Sequence, residues 1–145
     1  MTRITEQPQA GKRSYPPRVS QFTQPFWTAL RQGEWTTTCC QKCGKQSFPP
    51  KSVCPACWST DLKWVDFCAT GKLYSWTRIH SAPSSFQHEV PYAVCIVDLD
   101  VGVRIACRMV DTQQMPYKLG SEVEIICLQY EDGPMFAARV LNPNT

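Results

Sequence analysis

CCQKCGKQSFPPKSVCPAC, residues 39–57, places five of the chain's nine cysteines within nineteen positions. Cys40 and Cys43 form one Cys-x-x-Cys pair, Cys54 and Cys57 form a second, and ten residues separate the two. Each pair folds into a tight knuckle that aims two thiolates at one point, and a short hairpin between the pairs brings four sulfurs into a tetrahedron. Gly44, directly after the first pair, permits the backbone turn that lets amides face sulfur. Pro55 stiffens the second knuckle, and Phe48, Trp58 and Trp64 are expected to shield the site. The spacing predicts a closed structural Zn²⁺ site on Cys40, Cys43, Cys54 and Cys57. Such a site leaves no position open to substrate, so its metal serves folding and replaces a core that so short a segment lacks. Cys39 is the spare, because pairing it with Cys43 breaks the two-residue spacing that the second pair keeps.

Two such knuckles also hold iron in rubredoxins, whose knuckle sequences are similar to CQKCG and CPAC. Rubredoxins space their pairs much further apart, and the ten-residue interval here favours zinc. The remaining cysteines are scattered. Cys95 and Cys127 lie in apolar runs and read as small buried hydrophobes. With only His80 and His88 available as polarising bases, a Cys–His nucleophile is not indicated.

On either side of the cysteines the pattern changes. Residues 1–20 are polar and aperiodic, and are expected to be a flexible tail. Over residues 21–34, Phe22, Phe26, Trp27 and Leu30 recur at helical spacing, with Pro25 suited to the first turn and Gly33 to the end. The helix either packs on its own domain or offers Phe26 and Trp27 to a partner. Residues 35–66 form the ribbon. From 67 to 142 the period is two: KLYSWTRIH (72–80), YAVCIVDL (92–99), GVRIACRMV (102–110), EVEIICLQY (122–130) and MFAARVL (135–141) read as strands. DLDVG and EDGP read as hairpin turns, and Asp98 and Asp100 as a solvated turn rather than an acid pair. The predicted fold is therefore mostly β, an N-terminal helix and a rubredoxin-like zinc ribbon followed by a five-stranded OB-fold barrel, with a small sandwich as the alternative.

Composition narrows the function. The chain has 145 residues, 43% of them hydrophobic and 19% charged, with a net charge of +3. That charge is too mild for a strong nucleic-acid binder, and acids cluster at Glu122, Glu124, Glu131 and Asp132. A nucleic-acid-binding ribbon and barrel remains the alternative function, with Tyr74 or Trp76 stacking bases. No apolar run is long enough to span a membrane, and MTRITEQPQAGKRSYPPRVS lacks a signal peptide's hydrophobic core, so a cytoplasmic location is expected. In a reducing compartment, paired cysteines bind metal more often than they form disulfides. There is no carboxylate pair at motif spacing, no Gly-rich phosphate loop and no nucleophile motif, so no catalytic residues are assigned.

FWTALRQGEW, CQKCGKQSFPPKSVCPACWS, GKLYSWTRIH, PYAVCIVDLDVGVRIACRMV and LGSEVEI follow one another in an order that resembles the zinc-ribbon OB-fold proteins associated with acyl-CoA metabolism, formerly a domain of unknown function. The likeness covers about residues 22–140, and FPP with CPACWS is its most specific part. It implies a non-catalytic, accessory zinc-binding subunit in a hetero-oligomer with a thiolase-fold enzyme (a thiolase, acyltransferase or aldolase) or a hot-dog-fold hydratase. It also implies a CoA ester at the interface with that partner, in a site the subunit helps to form or stabilise. CoA carries phosphates and a flat base, so cations and aromatics are the candidate contacts: Lys51, Arg78, His80, Phe86 and His88, with Phe26 and Trp27 for the partner. The long polar loop 81–91 between the first two barrel strands carries Phe86 and His88, and an exposed aromatic on such a loop suits recognition.

Overall fold

The computed structural model describes residues 2–110 and 116–141. Helix α1 spans Gln24–Arg31, with Pro25 in its first turn, where a missing N–H costs nothing. It stops at Gly33, whose φ of 78° is the left-handed turn that ends many helices. Three short strands follow. β2 (Thr36–Cys40) pairs antiparallel with β3 (Gln46–Ser47) on one side and β4 (Leu62–Asp66) on the other. The cysteine hairpins project from the ends of this small sheet.

The barrel is built from β5 (Thr70–Ile79), β6 (Tyr92–Leu99), β7 (Arg104–Met109), β8 (Glu122–Tyr130) and β9 (Gly133–Val140). Its ladder runs β8-β5-β6-β7-β9 and closes through β8–β9. The β7–β9 pairing is parallel and the rest of the ring is antiparallel. The five stretches of period-two sequence thus become five strands of one closed barrel, and the OB-fold reading prevails over the sandwich. The expected limit of the barrel, residue 142, lies outside the described residues. Among those described, no helix is long and apolar enough to cross a membrane.

Much of the expected tail over residues 1–20 is held on the barrel: residues 3–14 are not free. Residues Glu6–Pro8 form β1, which pairs in parallel with Cys127–Gln129 of β8. β8 lends its first residues to β5 and its later ones to β1, so β1 covers an edge that β5 leaves open. Ile4 is buried in the core, and the Arg13 guanidinium donates to the carbonyls of Asp132 and Pro134 at 2.8 and 3.0 Å. Backbone pairing, invisible to a hydropathy pattern, holds this segment.

Helix, ribbon and barrel share one core. Phe26 and Leu30 of α1, Trp35, Phe67 before β5, and Val97, Ile105, Val123 and Ile125 of the barrel are all buried in it, with Phe48, Trp64 and Phe136 packed against them. Phe26 is 3% exposed and touches the rings of Trp27, Trp35, Phe48 and Phe136. The helix therefore packs on its own domain, and Phe26 is not available to a partner. Trp27 is half-buried against the same cluster.

Strict alternation along β5 fails at one point. The register against β6 shifts between Leu73 and Ser75. A bulge adds one residue and reverses which face the following side chains take. Leu73 is buried and Trp76 packs on the core, donating its indole N–H to the Tyr117 carbonyl at 3.0 Å. Tyr74, two residues before Trp76, is by contrast 48% exposed and stacks under Arg104.

Candidate metal centre and barrel cavity

The thiols of Cys40, Cys43, Cys54 and Cys57 all lie within 4.8 Å of one another. Cys40 Sγ sits 3.5 Å from Cys57 Sγ, and Cys43 Sγ 3.6 Å from Cys54 Sγ. A zinc ion bound tetrahedrally at its usual distance to sulfur sets such separations at about 3.8 Å. The amides of Lys42 and Cys43 each donate to Cys40 Sγ at 3.4 Å. These amides, that of Cys43 foremost, draw the Cys40 thiol down to about 6. The Cys57 and Ala56 amides lower Cys54 in the same way. Cys43 moves the other way: the Lys45 amide pulls its thiol down, but Cys54, burial and the other two sulfurs push it up to about 12. Four thiolates this close repel one another, and the backbone alone neutralises only part of that charge. A dication completes the balance, so the residues present fit zinc, which the four thiols would hold in a closed structural site.

Cys39 points elsewhere. Its thiol donates to the carbonyls of Gly44 at 3.5 Å and Cys40 at 3.7 Å. Cys39→Ser is expected to leave zinc at the wild-type ratio per chain by elemental analysis; loss of the metal would reverse the assignment of the spare. The shielding aromatics are only partly in place. Phe48 and Trp64 pack inward, Trp64 against Phe22 as well, but Trp58 is 81% exposed and shields nothing.

A second concave feature opens on the barrel, a cavity of about 430 Å³. Tyr92 of β6, Ala106 and Arg108 of β7, Tyr130 of β8 and Phe136 of β9 line it, and Tyr15 and Phe86 line it from the N-terminal segment and the loop 81–91. Arg108 lies 4.1 Å from the centre of the Tyr92 ring and donates to Glu89 at 2.5 Å. Ser14 also donates to Glu89, and its hydroxyl sits 3.2 Å from His88 Nε2. Burial raises the Glu89 carboxyl, but the bonds from Ser14 and Arg108 outweigh it and hold the group below the usual carboxylate range. Burial pushes the Tyr130 phenol up, and the neighbouring Cys95 thiol, 3.9 Å away, pushes up that of Cys107. The cavity is thus mostly apolar and aromatic, with its two cations, Arg13 and Arg108, already paired with Asp132 and Glu89.

The sequence candidates distribute unevenly over these features. Phe86 lines the cavity and His88 stands beside it on the 3-10 turn Ser84–Glu89. Arg78 and His80 are exposed at the end of β5, and Lys51 is exposed on the ribbon, its amide donating to Thr38 Oγ1 at 2.9 Å. Asp98 pairs with Arg104 and Asp100 accepts from Thr70, so neither forms an acid pair. Sequence reasoning missed Arg13, Ser14, Glu89 and Arg108. One signal for them existed: Glu89 is the lone acid between Asp66 and Asp98, placed in a loop beside apolar strands.

Comparison with known proteins places the ribbon and the barrel in one family. Residues 27–63 match the family model described as the ChsH2 rubredoxin-like zinc ribbon domain, and residues 64–128 the model of the ChsH2 C-terminal OB-fold domain. A DUF35 domain-containing scaffold protein of Methanocaldococcus jannaschii is 32% identical over 65% of this chain and 68% of its own length. The benzoylsuccinyl-CoA thiolase subunit BbsA of Thauera aromatica is 30% identical over 59% of this chain and 58% of its own. Among solved structures, a chain of the Ltp2-ChsH2(DUF35) aldolase superposes with a TM-score of 0.74 at 25% identity, over 86% of this chain and 98% of that one. A zinc ribbon followed by an OB-fold domain is matched in that order, and this chain belongs to the DUF35 family of ChsH2-type zinc-ribbon OB-fold proteins.

Proposed function

We propose that this chain is a non-catalytic, zinc-built companion subunit of a thiolase-fold enzyme that processes acyl-CoA, and that it supplies part of the wall of the acyl-CoA site. The observation that carries this reading is the agreement of helix, ribbon and barrel with nearly the whole of one chain of an aldolase complex. The likeness to a thiolase subunit supports the same class of partner. The metal's contribution would be structural: held by the four thiols, it would fix the two knuckles.

The barrel cavity is the proposed recess for the acyl end. Its volume of about 430 Å³ falls within the ordinary range for small-molecule sites, and its aromatic lining suits an apolar chain or ring. Arg78 and His80, exposed outside it at the end of β5, are the groups offered to the phosphates of CoA, Arg78 as the cation. Gentle purification of the tagged chain from its host, with mass spectrometry of what accompanies it, tests the reading. A thiolase-fold enzyme in fixed ratio is the expected result, and its own active site then names the reaction. Nucleic acid that leaves at high salt would overturn it. Within the purified complex, Ala106→Trp fills the cavity from β7. It is expected to lower kcat/KM for the acyl-CoA substrate at least tenfold, about 1.4 kcal/mol, without dissociating the subunits. An unchanged kcat/KM would remove the cavity from the acyl site.

A further inference from the structure

We propose that the tip of the ribbon, centred on Trp58, is the face that docks on the partner enzyme, and that the partner meets it with an apolar recess ringed by carboxylates. This rests on the companion-subunit reading and adds where the two proteins touch. The two knuckles are built alike. Gly44 follows Cys43 with φ 80° and donates its amide to the Cys40 carbonyl at 2.9 Å. Trp58 follows Cys57 with φ 65° and donates its amide to the Cys54 carbonyl at 2.9 Å. Glycine takes this left-handed conformation freely, whereas a side chain there is strained. Among the described residues no other non-glycine has a positive φ. The fold wants glycine at position 58 and the sequence supplies the largest side chain.

That side chain does no work for the fold. At 81% it is the most exposed of the large apolar groups described, held on a knuckle that the metal would fix. A rigid, exposed indole loses little freedom on binding, which is why tryptophan recurs at the energetic centres of interfaces. Val53, 40% exposed, and the exposed Pro55 and Ala56 surround it with apolar surface. Lys42, Lys45 and Lys51 are exposed within three residues of a knuckle thiol, and none is ion-paired to a described residue. No acid occurs from Trp35 to Thr60. Four thiolates around a dication would carry two negative charges, reaching the surface at the exposed Cys43, and the three exposed ammonium groups outnumber them. The outward surface is cationic around an apolar centre, and its complement is apolar within an acidic rim. A single indole among aliphatic neighbours does not form the series of stacking platforms that single-stranded nucleic acid uses.

Trp58→Gly provides the test in the full-length chain with the purified partner. Zinc per chain is expected to be unchanged and the thermal midpoint unchanged or raised, while affinity for the thiolase-fold partner falls at least tenfold. A photo-crosslinking residue at position 58 is expected to label an acidic peptide of that enzyme. If the wild-type complex forms and Trp58→Gly binds equally well, the docking face is wrong and the companion reading stands. Cross-links to a second copy of this chain, or to nucleic acid, likewise overturn the docking face. If the wild-type chain binds no acyl-CoA enzyme at all, the companion reading fails and the docking face falls with it.

Discussion

Cys54→Ser is expected to yield a chain without stoichiometric zinc, with a ribbon open to protease and no stable complex with its enzyme. The thiol at position 54 is buried and is one corner of the four-sulfur cluster. A serine hydroxyl stays protonated near neutral pH and does not replace a thiolate as a ligand. The amides of Cys57 and Ala56, which now face the sulfur, lose their charged acceptor as well. In zinc-finger peptides structural zinc contributes roughly 10–16 kcal/mol to folding, and a module of this size has little else to draw on. Elemental analysis gives the zinc content, limited proteolysis locates the opening, and gel filtration reads the complex. A Cys54→Ser chain that stays zinc-loaded, protease-resistant and partner-bound would remove Cys54 from the ligand set. The comparison with Cys39→Ser sharpens the result, because the two variants delete the same atom one knuckle apart and only one should cost the metal.

The cluster of four cysteines and the barrel's strand count were legible in the sequence because both are local. Two Cys-x-x-Cys pairs ten residues apart leave few other geometries, and five period-two runs leave few other elements. What the sequence concealed depends on non-local pairing. Glu6–Pro8 carries no apolar alternation, and its partner strand lies about 120 residues away. The bulge after Leu73 puts Trp76 on the face opposite Tyr74, and nothing in LYSWT marks the extra residue. The cavity joins the N-terminal segment, the loop before β6 and four strands, so its Arg108–Glu89–Ser14 chain is visible only once the barrel closes. The exposure of Trp58 was hidden for a different reason. Aromatic residues near a metal ordinarily cover it, and only the left-handed backbone at that position turns this one outward.

Trp35→Ala is expected to destabilise the protein by about 3–5 kcal/mol, a large part of the 5–15 kcal/mol that holds a typical domain together. Trp35 is fully buried where the three parts meet. Its ring centre lies 5.8 Å from that of Phe26 in the helix, 5.2 Å from Phe48 in the ribbon, 5.7 Å from Phe67 ahead of β5 and 5.5 Å from Phe136 in the barrel. Its indole N–H donates to the Cys68 carbonyl at 3.1 Å, an acceptor that the substitution leaves without this donor. Its backbone amide and carbonyl also bond Thr2 and Phe67, and alanine keeps those. The loss therefore isolates ring packing from chain path. The four thiols are untouched, so zinc should remain at the wild-type ratio, in contrast to Cys54→Ser. Calorimetry is expected to show a midpoint lower by on the order of 10 °C, with the single transition split as ribbon and barrel melt apart. One unsplit transition, shifted by less than about 1 kcal/mol, would mean that the metal and the β-ladders hold the modules together without this ring. The aromatic cluster would then be filling rather than coupling, and a docked ribbon would have no route through packing to the barrel cavity.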